Sequence, residues 1–208
     1  MRSSFFKSRW IFYLVFVLAV VILVLVFYPR PEPWRVKSVI DGDTIELESG
    51  DTVRYIGIDT PETKDTLFWE ATKTNQELLR RGKLTLEYDI QEQDKWGRIL
   101  AYVWVDTLLV NAELIKRGFA WVYTHSPNLK YRNLFCSLQR QTRKAKIGIW
   151  SIPVSEKEEY YIGNKNSFRF HRPNCKYALQ MAERNKIEFK TRGEALDSCY
   201  SPCRYCEP

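Results

Sequence analysis

Apolar and polar positions change their spacing several times along this 208-residue chain, and each change predicts a different element. Residues 10–28, WIFYLVFVLAVVILVLVFY, carry no charge and would span about 28 Å as a helix, close to the hydrocarbon thickness of a bilayer. They are expected to form a transmembrane anchor. A cleavable signal peptide is the competing reading, but the run is long for one. It also ends in Tyr28, Pro29, Arg30 and Pro31, not in the small residues of a cleavage site. PRPEP at 29–33 reads as a stiff spacer that starts the soluble part close to the membrane.

From residue 34 the pattern turns to short alternating or apolar runs. WRVKSVI, DTIELES and TVRYIGI predict three strands of a meander, with DGD and SGD as the turns between them. Residues 66–81, TLFWEATKTNQELLRR, space their apolar side chains three and four apart and meet Gly82 at the expected C-terminal cap, which predicts a helix. KLTLEYD and RILAYVWV predict two further strands joined by the polar loop IQEQDKWG, and VNAELIKRG and YRNLFCSLQRQTRKAKIG predict helices that end at glycine. Five short strands with interspersed helices point to a small closed β-barrel of the OB type, mainly β with α, and not to a parallel sheet. The polar stretch 151–159 reads as a linker to a last segment, 160–208. The expected boundaries are therefore an arm at 1–9, the anchor at 10–28, the spacer at 29–33, the barrel at 34–150, the linker, and the tail.

Charge refines this picture. The net +7 suggests a basic nucleic-acid binder until it is divided along the chain. Residues 1–32 hold four basic and one acidic side chains, 33–153 hold 18 and 16, and 154–208 hold 10 and 8, so much of the excess flanks the anchor. Arg2, Lys7 and Arg9 precede the span and Arg30, Arg35 and Lys37 follow it, so the flanking charges alone do not orient it. With so short an arm, the simplest insertion keeps that arm in the cytoplasm and places the rest outside. One local imbalance stands out: Leu114 to Ser155 contains no Asp or Glu but eight Lys and Arg, among them Lys130, Arg132, Arg140 and Arg143. Such a run either projects positive potential or is an ordinary solvated helix face.

Candidate chemistry lies at strand ends and turns, where a β scaffold presents side chains firmly: DGDT at 41–44, RYIGIDTPE at 54–62 and DKWGR at 94–98. Asp43 and Asp59 are hard oxygen ligands. Pro61 restricts Thr60 to an extended conformation and so fixes its carbonyl beside Asp59. Two carboxylates, a carbonyl and waters suit Ca²⁺. Arg54 and Arg98 are forked donors matched to a phosphate, and Glu62 is placed to orient or deprotonate water.

These three pieces, with LVNAELIKRGFA and a final GIW in the same order, resemble the staphylococcal nuclease (thermonuclease) family over roughly residues 35–150. The resemblance implies an OB-type five-stranded barrel with three helices and phosphodiester hydrolysis. It implies Asp43, Asp59 and the Thr60 carbonyl as Ca²⁺ ligands, with Asp41 standing behind them, and Arg54, Glu62 and Arg98 as the catalytic trio. DNA and RNA are the implied substrates, with the lipid bilayer a further partner through residues 10–28. A membrane-tethered binder of single strands is the alternative function, since OB folds use aromatics such as Trp121, Tyr123 and Tyr131 in that way. Such a binder gains nothing from carboxylates facing phosphate.

In the tail, His171 and Cys175 are followed by Cys203 and Cys206 at the spacing of a tetrahedral Zn²⁺ site, with disulfide pairing as the competing reading. FHRPNCKYA and GEALDSCYSPCRYCEP resemble the small zinc-binding module of the bacterial DNA-alkylation adaptive-response protein, which implies a small α+β module. His171 stands where that module has its methyl-accepting cysteine, so the zinc site carries over and the methyl transfer does not. Cys136 is expected as a buried thiol and Cys199 as a spare or alternative ligand.

Overall fold

The computed structural model describes residues 13–21, 23, 34–154 and 158–208. Residues 13–21 and 23 are helical and exposed, and no helix among the described residues is long and apolar enough to cross a membrane. The rest of the expected anchor at 10–28 lies outside the described residues, as do the arm and the spacer. The chain from residue 33 onward forms its own compact unit.

In that unit β1 (Val36–Val39), β2 (Thr44–Leu47) and β3 (Thr52–Tyr55) form the meander, and β4 (Gly57–Asp59) and α1 (Phe68–Leu79) follow. Next come β5 (Leu84–Glu87), β6 (Ile99–Val105), β7 (Leu108–Leu109), α2 (Val110–Lys116), β8 (Trp121–Tyr123) and α3 (Arg132–Lys144). The main sheet has the order β1-β2-β3-β6-β5, with β7 beside β6. Only β3 and β6 run parallel in it. A bridge from Trp34 to Leu84 brings the first strand back to β5 and curls the sheet into a half-barrel, which fits the OB type but is less closed than the expected barrel. Alternation does the folding work: Ile45, Leu47, Val53, Tyr55, Val103 and Val105 point inward, where Leu78 of α1, Leu114 of α2 and Phe135 of α3 close the core.

One expected strand is two. TVRYIGI breaks at Gly57, whose φ of +81° suits glycine. A Cβ there would also lie 2.7 Å from the Phe135 ring. After the break β4 leaves the main sheet and pairs with β8, Ile58 opposite Val122. The turn therefore swings Asp59 and Thr60 out of line with Arg54 and lets them face it. The short β7 and β8 carry too little alternation to be read from sequence.

The tail contains β9 (Tyr161–Asn164), β10 (Arg169–His171), α4 (Lys176–Leu179), β11 (Lys186–Phe189), α5 (Arg192–Asp197) and β12 (Ser201–Pro202). Its sheet order is β11-β9-β10-β12, over a small core of Tyr161, Phe170, Phe189, Leu196 and Tyr200. This is the expected α+β arrangement.

Two expectations about cysteine are corrected here. Cys136 is not a thiol and Cys199 is not a spare ligand: they form a disulfide between α3 and the end of α5, with Cα atoms 5.7 Å apart. The acid-free basic stretch is also largely engaged within the protein. Arg140 donates to the Asp197 carbonyl at 2.7 and 3.0 Å, and Arg143 donates to the Gly193 carbonyl at 2.9 Å and pairs with Asp197. Lys130 pairs with Glu87, and Arg117 with Glu113. Through Arg132, Arg140 and Arg143, part of this charge forms a docking interface for the tail, which neither sequence reading included.

The disulfide closes a sequence separation of 63 residues, so removing it should cost roughly 4 kcal/mol on the chain-entropy account. Denaturant unfolding of Cys136→Ala should show that loss, and an unreduced digest should yield one peptide linking Cys136 to Cys199. Free thiol at both positions in the secreted or purified protein would contradict the pairing.

Candidate active site

The site begins with the DGD turn. Asp41 accepts the backbone N–H of Asp43 at 2.9 Å, and the N–H groups of Ile40 and Asp41 both reach the Thr44 carbonyl. Gly42 is required for space: a Cβ there would sit 2.7 to 2.8 Å from the Oγ1, Cβ and Cγ2 atoms of Thr60. The tight turn thus lets DGDT and IDTPE, separated in sequence, pack against each other. Asp43, 4 % exposed, joins them: Oδ2 accepts the Thr60 N–H at 2.7 Å, and Oδ1 accepts the Thr44 hydroxyl at 3.1 Å.

Arg54, on β3, bridges the two carboxylates. Its Nε lies 3.2 Å from Asp43 Oδ1 and its Nη2 3.0 Å from Asp59 Oδ1, while Nη1 donates to the Tyr55 carbonyl at 2.7 Å. Burial pushes Asp43 up to about 7, with Asp41 and Asp59 adding repulsion that Arg54 offsets only in part. Asp59 behaves oppositely: burial pushes it up, but the hydrogen bond from Arg204 and the charge of Arg54 outweigh that and hold it below the usual carboxylate range. Asp43, Arg54, Asp59 and Thr60, four of the six residues singled out from the sequence, are therefore in mutual contact.

The remaining two stand at the margins. Glu62 is on the same proline turn with its side chain 61 % exposed, and its N–H donates to Asp65 at 2.8 Å. Arg98 is held by Asp94, which accepts the Arg98 Nε at 2.7 Å and the N–H groups of Trp96 and Arg98 at 2.9 and 3.0 Å. Gly97, with φ +81°, completes that turn. Arg98 shares a cavity of about 420 Å³ with Arg54, Trp96, Tyr123 and His125. Two arginines and exposed aromatics around one hollow suit a phosphate with a base beside it.

Sequence reasoning missed three contributors. Asp94 was legible as part of DKWGR but not as the anchor of Arg98. Arg204 and Arg169 come from the tail: Arg204 contacts Asp59, Thr60 and Glu62, and Arg169 lies 3.6 Å from Asp59 with its guanidinium 3.9 Å from the Tyr123 ring centre. No local pattern marks either one, because docking of the tail brings them there. Arg204 helps to line a second cleft of about 880 Å³ that includes Asp59, Glu62, Trp121 and Arg172.

In the tail the four expected ligands do converge. The ligand atoms of His171, Cys175, Cys203 and Cys206 all lie within 4.8 Å of one another, the one such cluster of His, Cys, Asp and Glu among the described residues. The three cysteines are free thiols here. The N–H groups of Arg172 and Tyr205 point at the sulfurs of Cys206 and Cys203, each at 3.4 Å. Burial, with Arg169 nearby, lowers His171 to about 4, so the imidazole is neutral and able to ligate.

This geometry can be set beside known proteins. The staphylococcal nuclease homologue family matches residues 52–152. The thermonuclease of Staphylococcus intermedius is 36 % identical over 159 residues, which covers 65 % of this chain and 95 % of that protein. The chain belongs to the staphylococcal nuclease family. Two relatives from Bacillus subtilis (strain 168), endonuclease YncB and the SPbeta prophage-derived endonuclease YokF, are each 44 % identical over 123 residues. The matches span 58 % and 42 % of their lengths, so this chain covers about half of each. The family match runs from β3 through α3 and ends before the tail.

Proposed function

We propose that this family member is a membrane-anchored, Ca²⁺-dependent endonuclease that hydrolyses phosphodiester bonds of DNA and RNA with little sequence specificity. The observation that carries the reading is the buried Asp43–Arg54–Asp59 cluster with the Thr60 backbone beside it, in a chain whose relatives are named nucleases. The donor set fits the metal: Asp43, Asp59 and the Thr60 carbonyl are hard oxygens. Asp43 is raised chiefly by burial, with Asp41 and Asp59 adding repulsion, and a divalent ion bound beside it would favour its charged form. Bound there, Ca²⁺ supplies Lewis-acid polarisation of a phosphoryl oxygen.

The chain's own residues supply the rest. Arg54 and Arg98, each braced by a carboxylate, present guanidinium groups to a phosphate whose charge grows during displacement. Glu62, exposed on a rigid turn, positions or deprotonates the attacking water. Every group in the cluster addresses metal or phosphate and none reads a base edge, which supports broad substrate use. The non-catalytic single-strand binder is disfavoured by the two buried carboxylates, which would repel phosphate without a metal.

The His171, Cys175, Cys203 and Cys206 cluster suits a structural Zn²⁺ ion, with backbone N–H groups already aimed at two sulfurs. The anchor rests on the uncharged run at 10–28, and an extracytoplasmic location is supported by the Cys136–Cys199 disulfide, which an oxidising compartment favours. A Ca²⁺ site with two carboxylates, with affinity on the order of 0.1 to 1 mM as in extracellular modules, would also fill there more readily than in a cytoplasm.

The full chain should cut plasmid DNA and RNA with Ca²⁺ and stop with chelator. Arg54→Ala and Arg98→Ala should each lower turnover about 100- to 1,000-fold; Arg98→Ala should leave thermal stability little changed, whereas Arg54→Ala should also lower it, because Asp43 and Asp59 lose their shared buried partner. Calcium-independent cutting, or none, would contradict the proposal. Metal analysis should find about one zinc per chain, lost in Cys203→Ala, whereas a Cys203–Cys206 disulfide in zinc-free protein would overturn that site. Protease added to intact cells should remove the tail epitope; protection until lysis would reverse the topology.

A further inference from the structure

Arg204 places a guanidinium on the very oxygens assigned above to a metal. Its Nε donates to Asp59 Oδ2 at 2.8 Å, its Nη2 to the Thr60 carbonyl at 2.7 Å, and its Nη1 lies 3.0 Å from Glu62 Oε1. Each of the three nitrogens meets a different site residue, and Nη1 also lies 3.8 Å from Asp65 Oδ2. This is not a surface ion pair. Asp59 is 11 % exposed at its side chain and Arg204 34 %, so both charges are largely withdrawn from solvent.

We propose that Arg204 is a tethered cation that plugs the catalytic site, so that the docked tail holds the nuclease in an inhibited state which Ca²⁺ must displace. The inference rests on the metal assignment made above and adds its regulation. One carboxylate oxygen and one carbonyl cannot serve a guanidinium and a divalent ion together, and two cations at contact distance in a partly buried site repel strongly. The closed arrangement therefore scales the apparent metal affinity down to the fraction of molecules in which Arg204 has left the site. Glu62 is held by the same guanidinium, so the plug also takes the group proposed to handle water.

The tail is built to keep Arg204 in place. Arg204 lies between Cys203 and Cys206, on the turn that carries two of the four clustered ligands. Arg169, one strand away, donates to the Pro202 carbonyl at 2.9 Å while approaching Asp59. Behind them the Cys136–Cys199 disulfide and the arginines of α3 fasten the module to the barrel.

Calorimetric titration of the full chain in detergent with Ca²⁺ alone, without nucleic acid, is the deciding experiment, run on the parent, Arg204→Ala and Arg204→Lys. Arg204→Ala should bind Ca²⁺ about tenfold tighter or more, and Arg204→Lys, which keeps the charge without the three-point fork, should fall between. The Ca²⁺ concentration needed for half-maximal cutting should fall in the same order. Equal Ca²⁺ affinity in parent and Arg204→Ala overturns the plug alone. Loss of cutting in Arg204→Ala with Ca²⁺ affinity unchanged also overturns it, and assigns Arg204 to the phosphate. Absence of Ca²⁺ binding in all three overturns the metal assignment and the plug together.

Discussion

The buried Asp43 carboxylate is the constraint on which the site depends. It is fixed by three segments at once: the Thr60 N–H after β4, the Thr44 hydroxyl beside it and the Arg54 guanidinium on β3. Its own backbone carbonyl accepts the Tyr55 N–H at 2.9 Å, so the turn is stitched to β3 on both its side-chain and main-chain faces. A charge with so little solvent persists only where donors surround it. The donors that satisfy it are the residues that define the cluster. The closeness of Gly42 to Thr60 belongs to the same constraint, because any side chain on the turn would separate the two segments and leave Asp43 unpaired.

Most of the half-barrel was legible in the sequence because its strands bury one face and alternate accordingly, as Ile45 and Leu47 or Val53 and Tyr55 do. Asp43, Arg54, Asp59 and Thr60 were legible for a different reason: unusual polar residues sit at the ends of those strands, where a simple turn does not require them. What escaped was non-local. The break at Gly57 depends on Phe135, some eighty residues on, which occupies the place a side chain would need. Pairing of β4 with β8 involves three residues on each side, too few to carry a period. The cysteines show the same limit: spacing grouped Cys203 with Cys206, but it could not show that Cys199 belongs with Cys136 on another element.

The basic stretch illustrates how charge misleads when read without partners. Arg140 and Arg143 engage the Asp197 carbonyl and carboxylate at the end of α5, and Arg143 also the Gly193 carbonyl in its first turn. A helix end leaves carbonyl groups unsatisfied, and cationic side chains are well suited to meet them. The positive charge of α3 therefore complements the C-terminal end of a tail helix, and the positive charge around the clefts is that of Arg54, Arg98, Lys95 and the tail arginines Arg172, Arg192 and Arg204.

The tail's attachment explains why Arg204 competes well despite being a single side chain. A free arginine in solution would have to give up translational, rotational and rotamer freedom to reach Asp59, and at exposed sites such pairs contribute little. Here the disulfide and the α3 contacts have already fixed the backbone, and β12 has fixed the strand that ends just before Cys203. Only the side chain remains to be ordered, so its local concentration at the site is far above that of a free ligand. The same logic makes the contact reversible: it engages one side chain at the rim of a cleft, and its removal need not disturb the cores of either the half-barrel or the tail.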